Sequence, residues 1–161
     1  MIPKEIVIDY WRAWNEHNID NLLRLLAPEF ISRSSLSQDN VVGRDMVAMG
    51  FKMFNKALPD LKEEVVSIMA EGEKVVCEVI ETATFTGTIE LPKRVIQPTN
   101  RRYKIPVAAF FRVSSEGLIV EQRSYWDTAS WAQQIGMDPK LLSPHSDPSE
   151  PVSKQHKSSK L

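Results

Sequence analysis

The spacing of apolar residues changes at Leu61, and this change limits the possible folds more than any other feature of the chain. Before Leu61, the large apolar residues Ile6, Tyr10 and Trp14 recur every four residues, which is the spacing of one helical face. After it, β-branched residues dominate "EKVVCEVIETATFTG", a composition typical of strands. Helices followed by strands predict an α+β domain, with the helices covering one side of a curved antiparallel sheet.

The first part of the chain predicts three helices. The first carries the apolar stripe around Tyr10, and the second is short, begins after the N-cap Asn18 and stops near Pro28. The stretch that follows "EFISRSS" is polar and is predicted to be a loop. Helical spacing then returns from about Arg44 to Ala57, and Pro59 ends this third helix.

The second part predicts two hairpins. One is formed by "LKEEVVSIMA" and "EKVVCEVIETATFTG" around the turn residues "EG". The other is formed by "RRYKIPVAAFFRV" and "LIVEQRSYW" around "SSEG". The connection from Gly87 to Asn100 contains Pro92 and Pro98, and we expect it to be a long loop.

Composition favours one soluble intracellular domain. A chain of 161 residues that is 42% hydrophobic can bury one sizeable core. The net charge of -1 gives no general attraction to nucleic acid or to acidic membrane surfaces, so we expect neither as a partner. The lone Cys77 cannot form an internal disulfide. The N-terminus lacks the apolar run of a signal peptide, and no stretch approaches the roughly 20 apolar residues of a membrane span.

The end of the chain differs in composition from the rest. We expect one domain over residues 1–142 and a disordered tail over residues 143–161, because the tail is rich in proline, serine and charge. The tail ends in Ser159, Lys160 and Leu161, the tripeptide that the peroxisomal import receptor reads. We therefore expect a peroxisomal location and this receptor as a partner in a eukaryotic source, and a cytoplasmic location otherwise.

Several kinds of chemistry find no support in the residues. The histidines are His17, at a helix end, and His145 and His156 in the tail, so we expect no metal site. The six glycines form no phosphate-binding loop, so we expect no nucleotide cofactor and no cofactor of any other kind. A serine or cysteine nucleophile would lack a histidine base.

One basic cluster remains in "KRVIQPTNRRYK". Its members are Lys93, Arg94, Arg101, Arg102 and Lys104. Tyr103 is the one aromatic residue among them, so a nucleic-acid platform is not predicted. We interpret the cluster as a solvated loop face, with binding of a phosphate-bearing small molecule as the weaker alternative.

Asp127, in "EQRSYWDTASWAQQIGM", is either the acid of an active site or the cap of a helix. It directly precedes the helical stretch "TASWAQQ", where its carboxylate can accept hydrogen bonds from free backbone amides. Its negative charge also suits the positive end of that helix. We therefore predict that Asp127 is an N-cap.

Four stretches carry a resemblance to a known superfamily: "YWRAWNEHNIDNLLRLLAPEF", "TATFTG", "QPTNRRY" and "GLIVEQRSYWDTASWAQQIGM". Over roughly residues 1–138 the chain resembles the nuclear transport factor 2-like superfamily, which is also called cystatin-like. Within it, the chain is most similar to the SnoaL-like polyketide cyclases, whose relatives include ketosteroid isomerase and limonene epoxide hydrolase. The resemblance implies a conical α+β barrel around one apolar cavity, a small-molecule ligand and a homodimer formed through the sheet.

The resemblance also implies where reactive groups would lie. The isomerase tyrosine corresponds to Tyr10, its aspartate base falls near Ser34, and its second acid falls on Ala109. The cyclases have a histidine at Ala109 and a catalytic aspartate at Ser124, the position that limonene epoxide hydrolase also uses. Phe85 replaces a further cyclase histidine. Tyr10 is retained, while the relatives' ionisable groups at the other positions are absent. Their catalytic position also precedes Asp127 by three residues.

Strand alternation gives a list of expected cavity residues. If Trp126 faces the cavity as in the isomerase, then Ser124 and Gln122 do as well, while Arg123 points away. The further expected lining residues are Tyr10, Trp14, Ser34, Phe54, Val107, Ala109 and Phe111. For the aromatic members, a purely structural place in the core is an equal alternative.

A catalytic base, if there is one, is predicted at Glu78 or Glu81. The two lie on opposite parities of one strand, so that one of them must face inward, and burial raises the pKa of a carboxyl group toward neutrality. Three functions follow as hypotheses: a cyclase or isomerase with Tyr10 as hydrogen-bond donor and a glutamate as base, a non-catalytic binding protein, or a dimeric adaptor without a ligand.

Overall fold

The computed structural model of the protein describes residues 2–91 and 94–142, without the side chains of residues 37–39. The helices are α1 (Pro3–Asn15), α2 (Ile19–Arg24), α3 (Arg44–Ala57), α4 (Thr128–Ile135) and α5 (Pro139–Leu142). The strands are β1 (Leu26–Ser34), β2 (Ser37–Val42), β3 (Lys62–Glu71), β4 (Lys74–Thr84), β5 (Ile89–Leu91), β6 (Arg94–Ile96), β7 (Arg102–Val113) and β8 (Ile119–Trp126). The predicted tail with its terminal tripeptide, and Lys93 of the basic cluster, lie outside the described residues.

The helices form where the sequence predicts them. α1 begins at Pro3, which suits the first helical turn, and buries the stripe that contains Tyr10. The Asn18 side chain accepts a hydrogen bond from the backbone N–H of Asn21 at 3.0 Å, which confirms it as the N-cap of α2. The bounds of α3 agree with the prediction as well.

The main sheet is mixed and open, and this corrects the prediction of an antiparallel sheet that closes as a conical barrel. Its strand order is β2-β1-β8-β7-β4-β3, so that β2 and β3 are its edges within the described chain. All neighbouring pairs are antiparallel except β1 and β8. That parallel pair places Ser34 beside Ser124 and Ser32 beside Gln122. The α+β class itself, with N-terminal helices on a curved sheet, is confirmed.

Four strands, β1, β2, β5 and β6, form where the sequence predicts none. β1 contains Pro28, which cannot donate to a ladder, but the pairing of β1 with β8 shifts register between Leu26 and Ile31. Pro28 therefore lies in the irregular part of the strand, where prolines are tolerated. β1 pairs with β2 across the turn that contains Leu36, so the predicted polar loop is instead a hairpin.

The predicted loop from Gly87 to Asn100 contains the two-stranded ribbon β5–β6. Ile89 and Ile96 lie opposite each other on this ribbon and are both buried, so the ribbon is anchored by apolar burial. Arg94 extends from β6 and donates hydrogen bonds to the backbone carbonyls of Leu141 and Leu36. The ribbon thereby connects α5 to the β1–β2 turn.

The inner face of the sheet carries the core. The buried residues of β4 and β7 are the odd-numbered ones, as period-two alternation requires. One apolar cluster lies under α1 and another under α4, and Trp14 packs against both. In the described part of the chain, no helix is both long enough and apolar enough to cross a membrane.

α4 begins with Asp127 in the place of its N-cap. Oδ1 of Asp127 accepts a hydrogen bond from the backbone N–H of Ser130 at 3.1 Å, and its side chain is exposed. The cap prediction is therefore confirmed. At the other end, Gly136 adopts a φ of 73°, a left-handed conformation that glycine takes at little cost.

We expect Asp127→Ala to lower the free energy of unfolding by about 0.5–2 kcal/mol, because the variant leaves a helix N–H without its acceptor. Asp127→Asn is the matched control, since an asparagine side chain caps nearly as well. Chemical denaturation of the three proteins gives the measurement. Equal stability of wild-type protein and Asp127→Ala would contradict the capping role.

Candidate functional site

A cavity of about 230 Å³ lies where the two apolar clusters meet. Its lining includes the half-exposed Met46 of α3 and Val41 of β2, which puts its mouth between these elements. Most of its wall is aliphatic or aromatic, with a few polar groups, as in typical small-molecule sites. The remaining lining residues are Tyr10, Trp11, Trp14, Phe30, Ser32, Ser34, Leu36, Val47, Gly50, Phe51, Phe54, Leu58, Leu61, Glu63, Glu81, Tyr103, Ile105, Val107, Gln122, Ser124, Trp126 and Trp131.

Most of the residues expected from alternation and resemblance lie in this wall. They are Tyr10, Trp14, Ser34, Phe54, Val107, Gln122, Ser124 and Trp126. Arg123 lies on the opposite face of β8, where its guanidinium stands 5.5 Å from the ring centre of Phe110 and 3.5 Å from the Glu121 carboxylate. Period-two alternation thus separates Ser124 from Arg123.

Ala109 and Phe111, which were expected to line the cavity, belong instead to the core under α1. The Phe111 ring lies edge-on to Tyr10 and Trp11, with ring centres 5.1 Å and 5.7 Å away. Tyr10 and Trp11 line the cavity and pack against Phe111, which itself lies outside the lining.

Of the two candidate bases, Glu81 lines the cavity and Glu78 does not. Glu78 is exposed on the outer face of β4, opposite Ala108. Of the two alternatives, the inward-facing glutamate is therefore Glu81, and Glu78 is not a site residue. Because the two glutamates lie on opposite faces of one strand, the orientation of β4 decides which of them faces inward. The sequence alone left that orientation open.

Glu63 is a site residue that the sequence reasoning missed. It lies on the edge strand β3, directly opposite Glu81 on β4, and is 8% exposed. The side chain of Asn15 accepts from the Glu63 N–H at 2.7 Å and donates to the Glu63 carbonyl at 2.8 Å. The N–H and C=O of Glu63 are hydrogen-bonded to Asn15 and point away from β4. Glu63 and Glu81 are therefore a non-hydrogen-bonded antiparallel pair, the type in which facing side chains lie closest.

The two carboxyls and Tyr103 form a hydrogen-bonded cluster. The Tyr103 hydroxyl donates to Oε1 of Glu81 at 2.5 Å, and the Glu63 carboxyl faces Glu81 closely enough to share a hydrogen bond with it. Two carboxyls can share a hydrogen bond when one of them carries the proton. We refer to Glu63, Glu81 and Tyr103 as the carboxyl cluster.

The surroundings of the two carboxyls differ. Burial, and then the neighbouring Glu81, raise the pKa of Glu63 well above its ordinary value. Burial also raises the pKa of Glu81, but the hydrogen bonds from Glu63 and Tyr103 favour its ionised form. Oε2 of Glu63 has no hydrogen-bond partner among the described residues, which disfavours an anion there. A negative charge is therefore less favourable on Glu63 than on Glu81.

Both tyrosines of the wall remain protonated and able to donate. Burial raises the pKa of Tyr10 above its ordinary range. Burial, and then the charge of Glu81, do the same to the pKa of Tyr103. The hydroxyl of Tyr103 is already committed to Glu81. The Tyr10 hydroxyl makes no such hydrogen bond to a described carboxyl.

A second polar group lies on β1 and β8. The hydroxyl of Ser32 donates to Oε1 of Gln122 at 2.9 Å, and the Gln122 amide in turn donates to the hydroxyl of Ser124. These hydrogen bonds fix the amide of the buried Gln122 in one orientation. The cavity thus has polar groups at two separate places on an otherwise apolar wall.

The four indoles of the wall, those of Trp11, Trp14, Trp126 and Trp131, carry N–H donors without acceptors among the described residues. Trp126 and Trp131 pack edge-on with ring centres 6.4 Å apart, and Trp131 also packs against Tyr103. A buried donor without an acceptor is costly, so an oxygen atom of a ligand is a natural partner for it.

The described residues contain no group of three histidine, cysteine, aspartate or glutamate side chains that could hold a metal ion. The Cys77 thiol is buried in the core, outside the lining. The chemistry of the wall is therefore that of carboxyl, phenol, amide, hydroxyl and indole groups.

Comparison with known proteins agrees with this architecture. A family model described as SnoaL-like polyketide cyclase matches residues 4–135. AclR from Streptomyces galilaeus, a candidate hydroxylase, is 28% identical with a TM-score of 0.67, and the match covers 83% of this chain and 95% of AclR. No protein with a curated description matches the chain.

Two further solved structures share the fold. A candidate polyketide cyclase from Xanthomonas campestris is 24% identical with a TM-score of 0.71, over 83% of this chain and 96% of that one. A candidate SnoaL-like polyketide cyclase from Jannaschia sp. CCS1 is 20% identical with a TM-score of 0.73, over 85% and 93%. The family match spans α1 to α4, the elements that build the cavity, and confirms the resemblance found in the sequence. The chain therefore belongs to the SnoaL-like polyketide cyclase family.

Proposed function

We propose that this small-molecule-binding protein is a cofactor-independent proton-transfer enzyme, a cyclase or isomerase, that acts on an apolar, oxygenated substrate. The observation that carries the proposal is the carboxyl cluster, which stands in an apolar cavity. Titratable groups whose pKa values are moved by burial and by a specific partner are typical of catalytic sites. The apolar wall would hold the carbon skeleton of the substrate.

Glu81 is the base in this proposal. It accepts hydrogen bonds from Tyr103 and Glu63, which favour its ionised form, while burial keeps it more basic than an exposed carboxylate. Glu63 keeps the proton of the pair and acts as a donor to Glu81. In many enzymes, two neighbouring carboxyls have surroundings that push their pKa values apart, so that one serves as the base and the other stays protonated as an acid or donor.

The reaction begins with transfer of a proton from a carbon next to a substrate carbonyl to a carboxylate oxygen of Glu81. The electron pair of the broken C–H bond moves to the carbonyl oxygen and gives an enolate. Tyr10, whose phenol remains protonated, donates a hydrogen bond to that oxygen. In a substrate with a carbon–carbon double bond next to the carbon that lost its proton, the enolate takes the proton back from Glu81 at the far end of that double bond, which is isomerisation. In a substrate with a second carbonyl, the enolate carbon attacks that carbonyl carbon, the alkoxide so formed takes the proton from Glu81, and a ring closes.

The second candidate function is ligand binding without catalysis. It is favoured by Ser34, Ala109 and Ser124, which occupy the positions where the resemblance implies acids or histidine. In that case the carboxyl cluster would only orient a ligand. An adaptor without a ligand, the third hypothesis, gives no reason for a carboxyl cluster inside a cavity.

Replacement of Glu81 separates catalysis from binding. Nitrobenzisoxazole is a small, neutral, apolar probe, from which a base takes a carbon-bound proton while the N–O bond breaks to give a coloured cyanonitrophenolate. We expect wild-type protein to accelerate this opening and Glu81→Gln to lower kcat/KM by about 10²-fold or more. The exposed Glu78→Gln is the matched control and should keep full activity. Equal rates for wild-type protein and Glu81→Gln would refute the role of Glu81.

Replacement of Ser124 tests the face of β8 that meets the ligand. We expect Ser124→Phe to fill part of the cavity and to abolish saturable binding of the same probe, whereas Arg123→Ala, on the outer face, should bind it as wild-type protein does. Isothermal titration gives both affinities, and circular dichroism verifies that each variant is folded. Loss of binding in Arg123→Ala with binding retained in Ser124→Phe would contradict this assignment.

Replacement of Glu63 tests where the shared proton resides. Unfolded Glu63 ionises near its ordinary pKa of 4.5, while the folded group keeps its proton to higher pH. Its contribution to stability is therefore complete below pH 4.5 and is lost as the pH rises toward the raised pKa. Glu63→Gln keeps a donor for Glu81 and has no proton to lose, so we expect its stability relative to wild-type protein to increase with pH.

The measurement is chemical denaturation of wild-type protein and Glu63→Gln at several pH values from acid to neutral. For each unit by which the pKa of folded Glu63 exceeds that of unfolded Glu63, the free energy of unfolding of Glu63→Gln should rise by about 1.4 kcal/mol relative to that of wild-type protein. Glu78→Gln, at an exposed position, serves as the control and should follow wild-type protein. A constant difference across the whole range would mean that Glu63 is not the protonated partner.

A further inference from the structure

We propose that the carboxyl-cluster end of the cavity binds an organic ammonium ion, the protonated form of an amine with small apolar substituents. This inference goes beyond the proposed function, because it needs no bond to break. Both proposals depend on the position of the two carboxyls, but they predict different measurements. Either proposal can therefore fail while the other stands.

The first reason is an imbalance of charge. Glu63 and Glu81 are two acids in the wall, and the lining drawn from the described residues contains no lysine, arginine or histidine. Buried charges in proteins are normally paired, because an unpaired one costs several kcal/mol. A cationic ligand would supply the missing partner of Glu81.

The second reason is an open position on the cluster itself. Glu63 is 8% exposed and lines the cavity, yet its Oε2 atom has no hydrogen-bond partner among the described residues. Ammonium groups are donors without acceptors, so they fit a carboxyl oxygen that lacks a donor. The N–H of such an ion would donate to this oxygen, which would then carry negative charge.

The third reason is the aromatic wall beside the cluster. Tyr103 bonds to Glu81, Trp131 packs against Tyr103 with ring centres 5.9 Å apart, and Trp126 packs against Trp131. Tyr10 lies close enough for the charge of Glu63 to raise the pKa of its phenol, after the larger effect of burial. Aromatic faces attract alkylammonium ions, and tryptophan does so most strongly.

Binding of such an ion should release the proton that the two carboxyls share. A positive charge beside the pair favours two carboxylates, so the proton on Glu63 would leave to solvent. The other titratable groups that face the pair are Tyr10 from α1 and Tyr103 from β7, both with pKa values raised by burial. Asp60, which also acts on Tyr103, is itself held by Thr84. The amine should therefore bind more tightly as the pH rises through the titration of the pair.

Three probes of similar shape test the proposal by isothermal titration with the full-length protein. They are N,N-dimethylbenzylammonium, its neutral isostere isobutylbenzene, and the anion phenylacetate. We expect the ammonium ion to bind roughly tenfold or more tightly than isobutylbenzene, and phenylacetate not to bind. Titrations in two buffers that differ in ionisation enthalpy should show proton release with the ammonium ion and none with the neutral probe.

The double variant Glu63→Gln/Glu81→Gln should lose the preference for the ammonium ion while it still binds isobutylbenzene, which shows that the cavity remains intact. Glu78→Gln, at an exposed position on the same strand as Glu81, should keep the preference. Equal affinity of wild-type protein for the charged and neutral probes, or a preference that survives in the double variant, would overturn the proposal. Such a result leaves the proton-transfer function untouched, because that function is measured by opening of nitrobenzisoxazole.

Discussion

The double hydrogen bond between Asn15 and the backbone of Glu63 holds the edge strand of the site against the first helix. β3 is an edge strand, and at Glu63 its N–H and C=O point away from the sheet, where they need partners. The Asn15 amide supplies both an acceptor and a donor from the end of α1. This contact ties the first helix to the edge of the sheet at Glu63, where the register of β3 with β4 brings Glu63 opposite Glu81. Without that register, the two carboxyls would not meet.

Strand alternation then decides which side chains belong to the cavity. On β4 it puts Glu81 inside and Glu78 outside, and on β8 it puts Ser124 inside and Arg123 outside. Because the period is two residues, a slip of one position would exchange the members of each pair. The bulge between Val65 and Ser67 lies between the β3–β4 turn and Glu63 and shifts the pairing by one residue, so that Glu63 rather than Glu64 lies opposite Glu81. The chemistry of the wall thus depends on register more than on composition.

The parts of this structure that depend on local signals could be predicted from the sequence. The bounds of α3 follow from helical spacing and Pro59, and the cap at Asp127 follows from the helical stretch after it. The parallel pairing of β1 with β8 depends instead on contacts between residues about 90 positions apart, such as the hydrogen bond of Ser32 to Gln122. β1 also carries Pro28 and two serines, Ser32 and Ser34, which hide its strand character.

Glu63 shows the same limit within the candidate site. In "LKEEVV" the sequence offers Glu63 and Glu64 side by side, and helical or strand propensity alone does not choose between them. The choice follows from Leu61, which is buried and therefore places Glu63, two residues later, on the inner face. Even so, alternation alone does not show that this inner face meets Glu81, because pairing across strands is set by the hairpin register and by the bulge between Val65 and Ser67.

The position of the acids also bears on how the family fold is used here. The resemblance implies reactive acids at positions on β1, β7 and β8, where this chain has Ser34, Ala109 and Ser124. The carboxyls of this chain stand on β3 and β4, at the opposite part of the same sheet. A ligand held by the same apolar wall would therefore present a different atom to the base. In the mechanism we propose, the position of the carboxyls on the cavity wall determines which substrate bond breaks. Substrates of relatives with acids on β8 are therefore poor guides to the substrate of this protein.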